Sequence, residues 1–179
     1  FLILSYYKNS GTDYGFLIFY RNDNDVFIQV DNSPFNLYTS GLGPEIGYRY
    51  HQSCIALSDN GKYLIASTYT TNIVILYEVI NTGAYIALNK LGEINGANGF
   101  GFTCSVSDNG YIIVGSLVSN NNYEGRIYVY KYDSYSNNIT LLKEFSAWES
   151  NENTGLGRAV SITSDGNYIA FAAVSSNPG

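Results

Sequence analysis

The chain has 179 residues, which is enough to bury a substantial hydrophobic core. Its 15 acidic and 9 basic residues give a net charge of −6, so binding to the phosphate backbone of a nucleic acid is not expected. The longest apolar runs fall far short of the roughly 20 residues that span a bilayer, so membrane insertion is not expected either.

Three short apolar stretches occupy the N-terminal part of the chain: FLILS from Phe1, GFLIFYR from Gly15 and VFIQV from Val26. Each has the length and the aromatic or β-branched content that is typical of a strand. The chain contains no methionine and starts at Phe1, so we expect it to be processed or to be a segment of a longer chain.

The next two parts of the chain each contain four predicted strands. The first set is CIALS, YLIAS, NIVILYEVI and YIALNKL, between positions 54 and 91. The second set is TCSVS, YIIVGS, GRIYVYKYD and ITLLKEFS, between positions 103 and 146. Ile127 and Val129 alternate with tyrosines, which is the period of two that a strand requires. Continuous apolar runs such as IVIL predict strands that are covered on both faces.

The same sequence pattern recurs along the chain. The segments LSDNGKYLIAS from Leu57, VSDNGYIIVGS from Val106 and ITSDGNYIAFA from Ile162 align without a gap. The Asn-Gly pairs in this pattern predict a hairpin between the first two strands of each unit. A period of about 50 residues with four strands in each unit is typical of a β-propeller blade.

We therefore predict an all-β fold of β-propeller blades, each made of four antiparallel strands. The chain is interpreted as a single propeller segment of about three and a quarter blades, with approximate limits at 1–44 (partial), 45–97, 98–153 and 154–179 (partial). Closed propellers have about 4 to 8 blades, so the ring is predicted to be incomplete without further chain or a partner. Open strand edges favour association, which indicates a larger chain or an oligomer.

These units resemble the FG-GAP (integrin-alpha-like) repeat of β-propellers. The matching residues are Phe100-Gly101, then VSDNG from Val106, YIIVGS from Tyr111 and GRIYVY from Gly125. The resemblance extends from about Gly47 to the C-terminus. It implies recognition or assembly, as in adhesion receptors and surface or particle-decorating proteins, without naming a ligand.

No metal or cofactor is expected. Calcium-binding members of that family carry several acidic residues in one loop, whereas SDNGK, SDNGY and TSDGN each offer one carboxylate. RNDNDV, with Asp23 and Asp25, comes closest to a calcium loop but lacks a glycine, so a solvated turn is favoured. The stretches GFG and GLG precede strands rather than helices. They are therefore predicted to be blade starts with positive φ angles, not phosphate sites.

The single histidine and the two cysteines are the candidate reactive groups of the chain. His51 aligns with Phe100 and Leu156, so a packing role is favoured over catalysis. Cys54 and Cys104 align one residue apart in the repeat and are predicted to point to opposite faces of their strands. That arrangement favours two small free thiols over a disulfide.

The candidate ligand patch is Trp148 with Glu149 and Glu152, where a sugar would stack on the indole and hydrogen-bond to the carboxylates. The alternative is a packed tryptophan with two solvated glutamates. Asn138 begins an Asn-Ile-Thr sequon and would be glycosylated after secretion through a eukaryotic pathway.

No catalytic residue is predicted, and the sequence favours a non-enzymatic structural or recognition module. We expect it outside the cell or on a particle surface, with protein (further copies or other subunits) or glycan as partner. One alternative is a fragment of a propeller-fold carbohydrate-active enzyme, which would need carboxylates gathered at the central opening. Another is an intracellular propeller scaffold, which an unglycosylated Asn138 and two reduced cysteines would favour.

Overall fold

The computed structural model describes residues 2–8, 13–21, 24–29, 35–36, 53–68, 72–82, 86–97, 99–117, 125–146 and 155–173. These residues form strands and turns, and they include no helix that is long and apolar enough to cross a membrane. The predicted all-β fold class is confirmed.

The strands form four antiparallel sheets, which we number as blades in chain order. Blade 1 contains β1 (Leu2–Lys8), β2 (Asp13–Arg21), β3 (Phe27–Gln29) and β4 (Phe35–Asn36). Blade 2 contains β5 (Ser53–Leu57), β6 (Tyr63–Thr68), β7 (Ile73–Asn81) and β8 (Ile86–Asn95). Blade 3 contains β9 (Phe100–Val106), β10 (Tyr111–Ser116), β11 (Arg126–Asp133) and β12 (Asn138–Ser146). Blade 4 contains β13 (Ala159–Ile162) and β14 (Ile169–Ala172).

Blades 2 and 3 are complete meanders in which each strand pairs with the next one along the chain. In blade 1, β1 pairs with β2 and β2 pairs with β3. Its outer position is shared by two short segments, since β3 pairs with one end of β2 and β4 with the other. The limits predicted at 44/45 and 153/154 lie outside the described residues, and the division into blades by residue number stays a prediction.

The middle strands are buried on both faces, as the continuous apolar runs predict. Along β7, Val74 and Leu76 face the core shared with blade 3, whereas Ile75 and Tyr77 face the opposite side of the sheet. All four side chains are at most 5% exposed. Blades 2 and 3 therefore stack through their apolar faces, and the interface between them, which we call a seam, is a hydrophobic core.

The seam between blades 3 and 4 repeats this arrangement. Ile113 and Ile127 of blade 3 are fully buried and form a cluster with Leu156. Val160 and Ile169 of blade 4 pack against that cluster. The first strands lie beside one another, with β5 next to β9 and β9 next to β13, which is the arrangement of innermost strands in a propeller.

The alignment of the three hairpins without a gap is wrong by one residue. Leu57 pairs with Leu64 in blade 2, but Val106 pairs with Ile112 in blade 3, so the second hairpin is one residue shorter. Tyr111 is therefore the structural equivalent of Tyr63. The sequence alignment does not show this shift, because both turns contain the same letters SDNG.

The glycines at the blade starts have the predicted positive φ angles. Gly101 has φ 86° and Gly157 has φ 91°. A Cβ atom on Gly157 would lie 2.8 Å from the carbonyl oxygen of Arg126, so the preceding blade approaches this backbone closely. Conformation and contact both require glycine at this position.

We expect Leu76→Ala to lower the free energy of unfolding by about 2–5 kcal/mol, because Leu76 is fully buried between blades 2 and 3. Leu141→Ala is the matched control, since Leu141 is 47% exposed, and its effect should stay within about 0.5 kcal/mol. Equilibrium unfolding in denaturant measures both variants. Equal losses would contradict the position of the core.

Candidate functional site

The hairpins that join the first two strands of blades 2, 3 and 4 are built in the same way. In blade 3, the hydroxyl of Ser107 accepts a hydrogen bond from the Tyr111 N–H at 2.9 Å and donates to Asn109 Oδ1 at 2.6 Å. The same pair of bonds surrounds Ser58, with Tyr63 and Asn60, and Thr163, with Tyr168 and Asp165. The serine or threonine before each turn thus stabilises the turn through two hydrogen bonds of its hydroxyl group.

Hydrogen bonds also link each hairpin to the next. The N–H of Asn60 donates to Asp108 Oδ1 at 2.8 Å, from blade 2 to blade 3. From blade 3 to blade 4, the N–H of Asp108 donates to the Ser164 carbonyl at 2.9 Å, and Asn109 Nδ2 donates to the Asp165 carbonyl at 2.8 Å. We call this set of bonded turns, residues 58–62, 107–110 and 163–167, the hairpin ladder.

The hairpin ladder brings carboxylates from three blades to one end of the adjacent first strands. Hydrogen bonds from the Thr163 hydroxyl and the Asn167 N–H lower the pKa of the Asp165 carboxyl. Asp59 has no hydrogen-bond partner among the described residues, although Asp108 at the same repeat position has one. The described chain holds no group of three His, Cys, Asp or Glu side chains with metal-binding geometry. The ladder holds neighbouring blades together and presents oxygen acceptors to solvent.

A second set of polar contacts joins the inner strands of each blade to the start of the next blade. The Ser67 hydroxyl donates to the Gly101 carbonyl at 2.6 Å, and the Thr103 hydroxyl donates to the Gly157 carbonyl at 2.7 Å. The Ser105 hydroxyl accepts the Ile162 N–H at 3.3 Å. Small polar side chains therefore satisfy the backbone groups where one blade meets the next.

Cys54 and Cys104 meet at the seam between blades 2 and 3. The Cys54 sulfur accepts the Cys104 N–H at 2.9 Å and donates to the Cys104 carbonyl at 3.2 Å. Both thiols are free, as predicted, with Cys104 buried and Cys54 half-buried. However, the reasoning that opposite strand faces separate them is wrong. When blades stack, one face of β5 contacts the opposite face of β9, so residues on opposite faces come together.

The two thiols have different acidities. The pKa of the Cys54 thiol is lowered, chiefly by its hydrogen bond with the Cys104 side chain and also by the Cys104 N–H. Burial raises the pKa of the Cys104 thiol well above its usual value. Cys54 is consequently the member of the pair that forms a thiolate more readily.

The two residues that align with His51 in the repeat, Phe100 and Leu156, are packing residues. Phe100 is 1% exposed and Leu156 is 7% exposed. The Phe100 ring packs edge-on against Tyr128 with centroids 5.3 Å apart. Burial raises the pKa of the neighbouring Tyr130 to about 12, so that phenol stays neutral. His51 itself lies outside the described residues.

The other predicted sites are only partly placed by the structure. Trp148, Glu149, Glu152 and Asp23 all lie outside the described residues. Asn138 is exposed at the start of β12, so its side chain is accessible to modification. Asp25 is exposed in the turn between β2 and β3 and forms an ion pair with Arg21 at 3.3 Å.

The sequence reasoning missed the links between hairpins. It interpreted Asp108 only as part of a turn, whereas the structure adds a partner from another blade. The signal was present in the recurrence of an Asp-Asn pair at Asp59-Asn60 and Asp108-Asn109. Recurring polar residues at hairpins that converge on one axis are candidates for contact with each other.

Comparison with solved structures confirms the propeller fold. The chain is similar to a protein from Lactobacillus plantarum, with a TM-score of 0.57 and 16% identity over 90% of this chain and 45% of the other. It is also similar to a Bacteroides uniformis protein provisionally named a 6-phosphogluconolactonase, with a TM-score of 0.52 and 12% identity over 93% of this chain and 48% of the other. Saccharomyces cerevisiae Sqt1 matches at a TM-score of 0.39 and 12% identity, over 68% of this chain and 35% of Sqt1.

These similarities establish architecture only, because the sequence identities are low. The chain spans less than half the length of each of these proteins. No family model matches the chain, and no curated protein matches it.

We expect Asp108→Ala to lower the free energy of unfolding by about 1 kcal/mol, because the Asn60 N–H loses its charged acceptor in the next blade. Asp59→Ala is the matched control at the same repeat position and should cost less than about 0.5 kcal/mol. Denaturant unfolding of both variants tests this difference. An equal effect of the two substitutions would mean that the link between blades 2 and 3 contributes no stability.

Proposed function

We propose that this chain is a non-enzymatic propeller module that assembles with further propeller strands and presents a surface for recognition of protein or glycan. We place it outside the cell or on a particle surface. The observation that carries the proposal is the pair of uncovered apolar positions on β12, the outer strand of blade 3.

The equivalent positions of blade 2 show what normally covers such residues. Ile94 in β8 pairs with Val74, and Phe145 in β12 pairs with Ile127, so Ile94 and Phe145 occupy equivalent positions. Ile94 packs in the core between blades 2 and 3 and is 8% exposed, whereas Phe145 is 36% exposed. The repeat retains a core residue at a place that the described chain covers only in part.

Leu142 is the second apolar residue of β12 that is exposed although its equivalent in blade 2 is packed. Leu142 in β12 corresponds to Leu91 in β8, because both lie at the irregularity between the paired residues. Leu91 packs against the core between blades 2 and 3, whereas Leu142 is 53% exposed. Two apolar side chains in register on one outer strand form a surface suited to the outer strands of another blade.

Blade 4 presents an open edge beside this surface. β14 pairs with β13 on one side, and no strand among the described residues pairs with its other side. Phe171 of β14 is 46% exposed, and its ring centroid lies 6.0 Å from that of Phe145. An open strand edge next to exposed aromatic rings favours addition of a strand. The added strands belong to a further copy, to another subunit or to further chain.

We expect Phe145→Asp to weaken self-association of this chain at least about tenfold, because an unpaired carboxylate would enter the covered surface. Leu141→Lys is the matched control, since Leu141 occupies the position of the exposed Lys90 in blade 2. Sedimentation velocity over a concentration series measures association of both variants. A wild-type chain that stays a lone 19.7 kDa monomer at every concentration would contradict assembly through further copies.

The recognition part of the proposal rests on the sequence. Trp148, Glu149 and Glu152 form the candidate glycan patch, and the FG-GAP resemblance of Phe100-Gly101 and GRIYVY supports recognition or adhesion. Glycosylation of the exposed Asn138 would support the extracellular location. These points stay predictions.

A propeller-fold carbohydrate-active enzyme is the second candidate. The observation that favours it is the similarity to the Bacteroides uniformis protein named as a 6-phosphogluconolactonase. The hairpin ladder would then be the place to seek carboxylates, with Asp59 as the exposed acid that lacks a described partner.

A lactone-hydrolysis assay distinguishes the two candidates. We expect no hydrolysis of 6-phosphogluconolactone above the buffer rate, measured by acid release at constant pH. Turnover that Asp59→Asn abolishes and that the control Asp25→Asn retains would replace the structural proposal with the enzymatic one.

A further inference from the structure

We propose that Cys54 and Cys104 form an oxidisable thiol pair that locks blade 2 to blade 3 through a reversible disulfide. This inference is independent of the proposed function, because it rests only on contacts between β5 and β9. It concerns a modification site at the innermost strands, away from the outer strand β12.

The geometry places the two residues within reach of a disulfide. The Cys54 sulfur contacts both backbone polar groups of Cys104, at 2.9 Å from its nitrogen and 3.2 Å from its oxygen. These contacts hold the Cα atoms within the roughly 7 Å that a disulfide tolerates. Both cysteines also belong to the same hydrophobic cluster between blades 2 and 3.

The surroundings give the two thiols different roles. Cys54 is half-buried, so an oxidant reaches it from solvent, whereas Cys104 is 5% exposed and its sulfur lies 3.9 Å from the Ser67 hydroxyl. The hydrogen bonds from Cys104 favour the thiolate of Cys54. Cys54 is therefore the thiol that reacts first, and Cys104 is the thiol that resolves the product.

The oxidant that we propose is a peroxide. The Cys54 thiolate attacks one oxygen of hydrogen peroxide, so that an S–O bond forms and the O–O bond breaks. The departing hydroxide takes a proton and leaves as the first water. The Cys104 sulfur then attacks the Cys54 sulfur, the S–S bond forms, the S–O bond breaks, and the departing hydroxide takes the Cys104 proton as a second water. The two thiols lose two electrons, which the peroxide gains. A dithiol reductant reverses the reaction by thiol–disulfide exchange.

The seam itself shows why a covalent link matters here. In the next seam, the Thr103 hydroxyl donates to the Gly157 carbonyl at 2.7 Å, and Thr103 aligns with Cys54 in the repeat. A sulfur hydrogen bond is weaker than a hydroxyl one, so the reduced Cys54 contact is weaker than the equivalent Thr103 contact. Oxidation replaces that weak contact with a bond that closes about 50 residues of chain into a loop.

The test is oxidation of the purified protein by a small excess of hydrogen peroxide, followed by alkylation with N-ethylmaleimide and peptide mapping without reductant. We expect a crosslinked peptide pair containing Cys54 and Cys104, loss of both alkylation sites, and a rise in the thermal midpoint of roughly 5–10 °C. Dithiothreitol should reverse all three changes.

Two variants assign the roles. Cys104→Ala should accumulate a sulfenic acid at Cys54 that dimedone traps, whereas Cys54→Ala should leave Cys104 unreacted under the same conditions. Two alkylatable cysteines in the oxidised wild-type protein, or crosslinks only between separate chains, would overturn the proposal. The mapping of the wild-type protein decides this even if a variant fails to fold.

Discussion

The fold depends on one constraint: the middle strands of each blade carry apolar side chains on both faces, so each sheet must be covered on both sides. In β10, Ile112, Ile113 and Val114 are all fully buried, although neighbouring residues of a strand point in opposite directions. No single four-stranded sheet satisfies this requirement, and only stacking against a blade on either side does so. The exposed Phe145 and Leu142 on β12 follow from the same constraint, since the described strands of blade 4 cover this face of blade 3 only in part.

The strands could be predicted from sequence because the local signals agree with the tertiary structure. Period-two patterns, continuous apolar runs and Asn-Gly turns all point to the same boundaries, and the predicted strand YIIVGS coincides with β10 at both ends. The hairpin register was less accessible. Ser107 bonds directly to the N–H of Tyr111, so the turn closes one residue earlier than the one at Ser58, although both turns contain SDNG. Two turns with the same sequence can therefore differ in the backbone N–H to which the serine hydroxyl is bonded.

Contacts between blades could not be derived from repeat alignment alone. The alignment correctly separates the strand faces of Cys54 and Cys104, but it does not show that stacked sheets bring opposite faces together. The same holds for Asp108, whose partner Asn60 belongs to the previous blade. Each of these contacts joins equivalent or nearly equivalent repeat positions that lie about 50 residues apart in sequence. Combining the face of each residue with the direction of stacking would have identified them.

Two kinds of contact hold neighbouring blades in place, and they differ in whether they are directional. The apolar cores stabilise the stack without favouring one direction, because the hydrophobic effect is non-directional. The hairpin ladder and the bonds between first strands are directional, since each needs a donor and an acceptor at hydrogen-bond distance. The cores therefore supply most of the attraction, while the polar contacts near the axis fix the rotation of one blade against the next. Cys54 stands at the place where the next blade uses Thr103, so the proposed oxidation would act on one of these directional contacts.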